Sequence, residues 1–169
     1  MIFTERLQLV DIDETLWEAI FEGNQFLSIV LGANVPKKWT ENMDAFPIFA
    51  KQVKENPDLV TWGAKLIILQ ADNLLIGTCG FRGKANEKGQ VELGYEIKEN
   101  LRGKGLATEA ARGLIQFAWK DPAVKAVIAH TLPVKNASNH ILQKLRFKFV
   151  EAVISEEDGE VWQWILERK

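Results

Sequence analysis

Val91-Glu92-Leu93-Gly94-Tyr95-Glu96-Ile97 runs into Lys98-Glu99-Asn100-Leu101-Arg102-Gly103-Lys104-Gly105, and from there into Leu106-Ala107-Thr108-Glu109-Ala110-Ala111. Residues 91–97 alternate strictly, so a strand would carry Val91, Leu93, Tyr95 and Ile97 on one side and Glu92, Gly94 and Glu96 on the other. From 104 to 119, Ala107, Ala110, Ala111, Leu114 and Ala118 recur at helical spacing and make a small-residue face, with Glu109, Arg112 and Gln116 largely off it. The polar segment between them holds two glycines, which let backbone approach a ligand closely. A strand that enters a helix through such a loop gathers the helix's unpaired N–H groups, equivalent to about half a positive charge, at one point. Arg102 and Lys104 add formal charge there. A diphosphate is the natural guest.

Outward from this core, β-rich runs at 62–70 and 74–82 flank Ala71-Asp72-Asn73 and predict an antiparallel hairpin. Residues 7–10 predict a short strand, and Asp13 a cap for a helix with Leu16, Trp17, Ile20 and Phe21 on one face, stopping near Gly23-Asn24. A helix is expected over 40–55, with Thr40 as its cap and Pro47 as a break or kink. Past Asp121-Pro122 come a strand at 124–131, a short helix at 136–144 and strands at 147–154 and 160–166. The order is mixed α/β. No repeat, low-complexity tract or Gly/Ser linker divides it, so 1–169 is expected to be one domain.

The chain has 169 residues, 47% hydrophobic and 26% charged, as ordinary folded domains do. Its 21 Lys and Arg against 23 Asp and Glu give a net charge of -2, so no global field draws it onto DNA. Cys79 is the single cysteine, which excludes an internal disulfide and suits a reducing cytoplasm. No leader pattern and no apolar run of about 20 residues is present, so a cytosolic chain without membrane association is expected. His130 and His140 lack Ser or Cys partners and metal-ligand spacing; both read as structural, and no metal is expected. The loop has neither the Gly-Lys-Ser/Thr ending of ATP-binding P-loops nor the three-glycine dinucleotide fingerprint, which argues against ATP and NAD.

Arg102-x-x-Gly105-x-Ala107 resembles the Arg/Gln-x-x-Gly-x-Gly/Ala motif of the GCN5-related N-acetyltransferases (GNAT). Thr4-Glu5-Arg6-Leu7, Ile76-Gly77-x-x-Gly80-Phe81, Glu92-Leu93-Gly94-Tyr95, Ala107-Thr108-Glu109-Ala110-Ala111 and Asn136-Ala137-Ser138 extend the likeness, in order, toward the ribosomal-protein alanine acetyltransferase-like (RimJ/RimL-type) branch. Residues 20–60 match least. The resemblance implies a mostly antiparallel sheet of six or seven strands flanked by about four helices, with a splay between two central parallel strands. It implies acetyl-CoA as donor, its pyrophosphate on residues 103–107 beside Arg102 and Lys104, and its pantetheine arm along Tyr95 and Ile97. Gly103, Gly105, Leu106, Ala107, Thr108 and Asn136 complete the cofactor contacts expected from it.

Acetyl transfer to an amine needs a base, donors for an oxyanion and a stabiliser for the departing thiolate. Glu92 is the expected base, acting through water, with Glu96 on the same face to attract a cation. A backbone N–H near Ile97 is expected to hold the oxyanion. The family pattern puts Ser138 near the sulfur. Wider relatives use a last-helix tyrosine as acid, whereas Tyr95, the only tyrosine here, lies on the central strand. Asn136 and Ser138 also suit helix capping. Arg146 stands where the family carries glycine. The acceptor is expected to be a primary amine, on a protein N-terminus such as a ribosomal protein's or on a small molecule. A non-catalytic acyl-CoA-binding sensor and a mononucleotide-binding domain are the alternatives. The apolar run from Val161 to Leu166 would permit a homodimer.

Overall fold

The computed structural model describes residues 1–134 and 136–169. In chain order the elements are β1 (Ile2–Phe3), β2 (Leu7–Asp11), α1 (Glu14–Glu22), α2 (Asn24–Leu31), α3 (Phe46–Glu55), α4 (Leu59–Trp62), β3 (Ala64–Leu69), β4 (Leu74–Phe81) and β5 (Gln90–Ile97). Then follow α5 (Leu106–Ala118), β6 (Ala126–Thr131), α6 (Ala137–Lys144), β7 (Lys148–Ser155) and β8 (Gly159–Glu167).

The eight strands form one sheet in the order β1-β2-β3-β4-β5-β6-β8-β7, and every neighbouring pair is antiparallel except β5–β6. This is the mixed, mostly antiparallel architecture expected, with more elements than the six or seven strands and roughly four helices anticipated. The surplus comes from two-residue β1 and from the segment before β3, where α2, α3 and α4 crowd into residues 24–62.

Two apolar layers sandwich the sheet. On one face, α5 buries Leu106, Ala110, Ala111, Leu114 and Ala118 against Leu9, Ile67, Ile76, Val91, Leu93 and Ile97. The alanines let the helix approach closely, and Leu114, fully buried, contributes about 1.5–3 kcal/mol. On the other face, α1, α2 and α3 bring Trp17, Ile20, Leu27, Phe46 and Val53 against Ile12, Leu66, Ile68 and Leu75. Trp17, Phe46 and Trp39 pack ring on ring there, with centroids 5.4 and 5.8 Å apart. Trp17, Trp39 and Phe46 are thus core, whereas Phe21 and Phe26 stay about half exposed, at 51% and 49%.

Asp13 caps α1 as expected, its carboxylate accepting from the Leu16 N–H at 2.9 Å. Thr40 does not cap a helix. Helix α3 begins six residues later, with Pro47 in its first turn, where a missing N–H costs nothing. The Thr40 hydroxyl instead donates to Glu96 at 2.7 Å. The small-faced helix begins at Leu106 rather than 104 because Gly103 and Gly105 adopt left-handed backbone, φ 77 and 76.

Strand β8 lies between β6 and β7 and is no edge. Val161 and Trp164 are buried within the chain, so its apolar run is accounted for without a second copy. Arg146 takes the left-handed conformation expected of a glycine, φ 67.

Candidate active site

Strands β5 and β6 pair over only three positions, Gln90↔Ala126, Val91↔Val127 and Glu92↔Ile128, while β5 runs on to Ile97 and β6 to Thr131. The two central strands therefore diverge beyond Glu92. Backbone groups along a strand alternate in direction. The Glu92 carbonyl accepts from Arg82 N–H at 3.0 Å and the Lys98 N–H donates to Ile76 at 2.7 Å, both toward β4. By alternation Leu93, Tyr95 and Ile97 turn toward β6, and past the last pair at Glu92↔Ile128 the N–H and C=O groups of Tyr95 and Ile97 face the splay. An extended chain entering there finds a ready-made strand edge, and a developing oxyanion finds fixed donors.

The loop after β5 ends beside the splay. Arg102 is exposed and folds back so that its Nε donates to the Ile97 carbonyl at 2.8 Å. Gly105 is the N-cap of α5 and offers no side-chain acceptor. Glu109 N–H is the donor to Gly105 C=O, at 3.0 Å, leaving the amides of Leu106, Ala107 and Thr108 ahead of it free for an anion. Lys104, Gly103 and Gly105 are exposed around them. These features fit a diphosphate: two left-handed glycines, free first-turn amides and two cations.

One clamp holds that loop. The Glu109 carboxylate accepts from Thr4 Oγ1 at 2.6 Å, from Arg6 N–H at 2.7 Å and from Arg6 Nε at 2.6 Å, and Arg6 Nη1 donates to the Lys104 carbonyl at 3.0 Å. Burial pushes the Glu109 carboxyl up, but the hydrogen bonds from Thr4 and Arg6 and the Arg6 charge outweigh it and hold the carboxyl below its ordinary range. The Thr4-Glu5-Arg6 and Thr108-Glu109 fragments thus meet in space.

On the opposite face of β5, Gly94 and Glu96 line a cavity of ≈ 600 Å³ whose far wall comes from α3, including Ile48 and Phe49. Arg82 and the turn residues Glu157 and Asp158 also line it. Acidic groups outnumber basic ones, and a cation is favoured inside. Glu96 is committed to structure: it accepts from Thr40 Oγ1 at 2.7 Å, Glu41 N–H at 2.7 Å and Asn42 Nδ2 at 2.8 Å, pinning the loop before α3. Glu92 lies one pleat from Gly94, beside the cavity rather than in its lining. Its Oε1 meets Arg82 Nε at 3.3 Å and His130 Nδ1 at 2.9 Å.

Helix α6 closes the other end of the splay. Asn136 Oδ1 accepts from the Asn139 N–H at 3.0 Å, so the capping role is realised. Ser138 follows in the first turn, and the Tyr95 hydroxyl donates to its carbonyl at 3.4 Å. Burial pushes the Tyr95 phenol up to about 12, partly opposed by this hydrogen bond, and the group stays protonated. Leu132 and Val134, each 54% exposed, stand between β6 and α6. Nothing in the sequence assigned them a role, and it offered Arg6 only as part of the likeness, because the contact that makes Arg6 matter lies 103 positions away. Cys79 is buried, and no His/Cys/Asp/Glu group that could hold a metal occurs among the described residues.

The Acetyltransferase (GNAT) domain family matches residues 6–148. YjdG of Bacillus subtilis (strain 168), an uncharacterized N-acetyltransferase, is 26% identical over 167 residues, covering 98% of this chain and 96% of its own. The ribosomal-protein-S5-alanine acetyltransferase of Vibrio fischeri has the same fold, with a TM-score of 0.71 at 14% identity over 99% of this chain and 96% of that one. So does the microcin C7 self-immunity acetyltransferase MccE, solved with acetyl-CoA and AMP, at a TM-score of 0.70 and 15% identity over 98% and 94%. Together with the splayed central strands and the open anion loop, the match over residues 6–148 shows that the chain belongs to the acetyltransferase (GNAT) family and is an acetyl-CoA-dependent N-acetyltransferase.

Proposed function

We propose that the acceptor is a primary amine, on a protein N-terminus or a small molecule, which enters through the cavity behind β5 and attacks while both substrates are bound. The observation that carries this reading is the cavity itself. It lies on the face of β5 that presents Gly94 and Glu96, and its rim carries Glu157 and Asp158. An ammonium is drawn to such a rim, and an apolar neighbour finds Ile48 and Phe49. The ribosomal-protein N-terminus is one candidate, favoured by the solved ribosomal-protein acetyltransferase that shares the fold.

Acetyl-CoA, when bound, supplies an activated thioester acyl group. Residues 103–107, with Thr108, are assigned to its pyrophosphate together with Arg102 and Lys104. The backbone at Tyr95 and Ile97 takes the pantetheine arm, and Asn136 flanks it. Glu92, acting through water, takes the amine's proton. A backbone N–H in the splay holds the oxyanion, where fixed dipoles cost no reorganisation. Ser138, in the first turn of α6, stabilises the departing thiolate. All of this is placed on one domain spanning 1–169, working in the cytoplasm.

Release of CoA thiol from acetyl-CoA is the test, run against free-amine peptides, their N-acetylated counterparts, amino acids and polyamines. Turnover with free amines and none with blocked ones supports the reading. Tight CoA binding with no turnover anywhere would instead make the chain an acyl-CoA sensor. Glu92→Gln should lower kcat/KM by roughly 10²–10⁴ while leaving CoA affinity within about twofold.

A further inference from the structure

His130 has a partner invisible in the linear sequence. The parallel register Glu92↔Ile128 puts His130 on the same face as Glu92, two residues past the last β5–β6 pair, where the strands part. Its Nδ1 lies 2.9 Å from Glu92 Oε1, and its Nε2 lies 3.3 Å from Gln163 Nε2, on the residue directly opposite across β6–β8. Arg82 Nε approaches the same Glu92 oxygen at 3.3 Å. Among the described residues Glu92 Oε2 has no hydrogen-bond partner.

Chemistry fixes the direction of these bonds. A carboxylate oxygen accepts, so Nδ1 is the donor to Oε1; an amide nitrogen donates, so Nε2 facing it offers its lone pair. With the Gln163 amide nitrogen turned toward Nε2, the tautomer that gives its N–H to Glu92 satisfies both contacts. Two donors converge on Oε1 and fix the plane of the carboxylate. Oε2 is left with its lone pairs unspent.

We propose that His130 is a positioning residue for the base: held as the Nδ1–H tautomer by Gln163, it joins Arg82 in saturating Glu92 Oε1 so that Oε2 takes the proton. The inference rests on the assignment of Glu92 as base. In the step itself an N–H bond of the acceptor ammonium breaks, its electron pair stays on nitrogen and the proton passes through water to Oε2; that pair then forms the C–N bond as the C–S bond breaks and its electrons leave with the CoA thiolate. His130 neither gains nor loses a proton. Its side chain is 26% exposed and that of Glu92 23%, so water reaches the pair without flooding it. A purely structural network would change stability when cut and leave turnover alone.

The chain has two histidines, and long-range proton–nitrogen NMR of the folded protein reads both tautomers directly, with His140→Gln for assignment. The expected result is His130 as Nδ1–H; the Nε2–H tautomer overturns the proposal without any His130 variant. Asparagine places an N–H near the position of Nδ1, whereas leucine offers none. His130→Leu should lower kcat about 10–100-fold with KM for acetyl-CoA within about twofold, and His130→Asn should keep at least about a third of wild-type kcat. Unchanged turnover in His130→Leu, or equal loss in both variants, overturns the proposal. Should His130→Leu fail to fold, the tautomer and His130→Asn decide alone. Glu92→Gln, measured alongside, separates the two levels. No loss there removes the base itself, while loss there with wild-type turnover in His130→Leu removes only the role of His130.

Discussion

Replacing Arg146 by glycine should stabilise the protein. Arg146 follows α6 at φ 67 and ends it in a tight reverse: its N–H donates to the Gln143 carbonyl at 2.9 Å, and the Phe147 N–H donates to the Leu142 carbonyl at 2.9 Å. That pair of bonds needs a left-handed residue, usually glycine. A residue with a Cβ holds the conformation at a cost of about 1–2 kcal/mol. Glycine removes the strain but gives back about 0.4–1 kcal/mol of unfolded-chain freedom. The exposed Arg146 side chain makes no hydrogen bond or ion pair among the described residues, so little is lost with it. The net gain is about 0.5–1 kcal/mol, roughly 1–4 °C in Tm for a chain of this size. Urea denaturation of wild type, Arg146→Gly and Arg146→Ala measures it, with m unchanged across the three. Alanine truncates the side chain and keeps the strain, so glycine should exceed alanine by the same net of about 0.5–1 kcal/mol. If the two variants are equally stable, the left-handed cost assigned to Arg146 is wrong.

Glu109→Gln should cost about 2 kcal/mol at pH 7, by weakening charged hydrogen bonds to Thr4 and Arg6. Because the folded carboxyl is held below its reference value of 4.5, its contribution is present in full above that pH and is lost as pH falls through the folded value. Denaturation of wild type and variant should therefore converge in acid; a constant gap would refute the assignment. Gly94 faces open space, with nothing within 4 Å of a Cβ built there, and it lines the cavity. Gly94→Leu should fold normally, bind CoA as wild type does and raise acceptor KM at least about tenfold; unchanged acceptor kinetics would place the amine elsewhere. Burial pushes the Cys79 thiol up to about 12 against the pull of the Lys65 charge. A thiol reagent should count no reactive cysteine in the native protein and one in denaturant.

What was legible in the sequence was governed by neighbours along the chain. Strict alternation at 91–97, the alanine face of α5 and the Asp13 cap each state a local geometry, and each appears where expected. Arg146 was legible too, as an arginine at a turn where the likeness expects glycine and the backbone is left-handed. The misreadings share one cause. Thr40 looks like a cap because threonine caps helices, yet its hydroxyl is taken by a glutamate 56 residues away. His130 looks solitary because its partner lies 38 residues off and meets it only through the parallel register of two strands. Pattern reading supplies faces and turns, whereas register and long-range pairing are properties of the assembled sheet.

The clamp between Arg6 and Glu109 also bears on the order in which the protein folds. The segment from β5 to α5 holds every group of the anion loop, yet its Lys104 carbonyl is fixed by Arg6, from the bend between β1 and β2. Closing a span of that length costs chain entropy before any contact repays it. A fragment beginning at β5 therefore has the glycines and cations of the donor site without their fixed geometry. The anion loop is finished only after β2 has docked, so affinity for CoA reports on the docking of the chain's N-terminal strands.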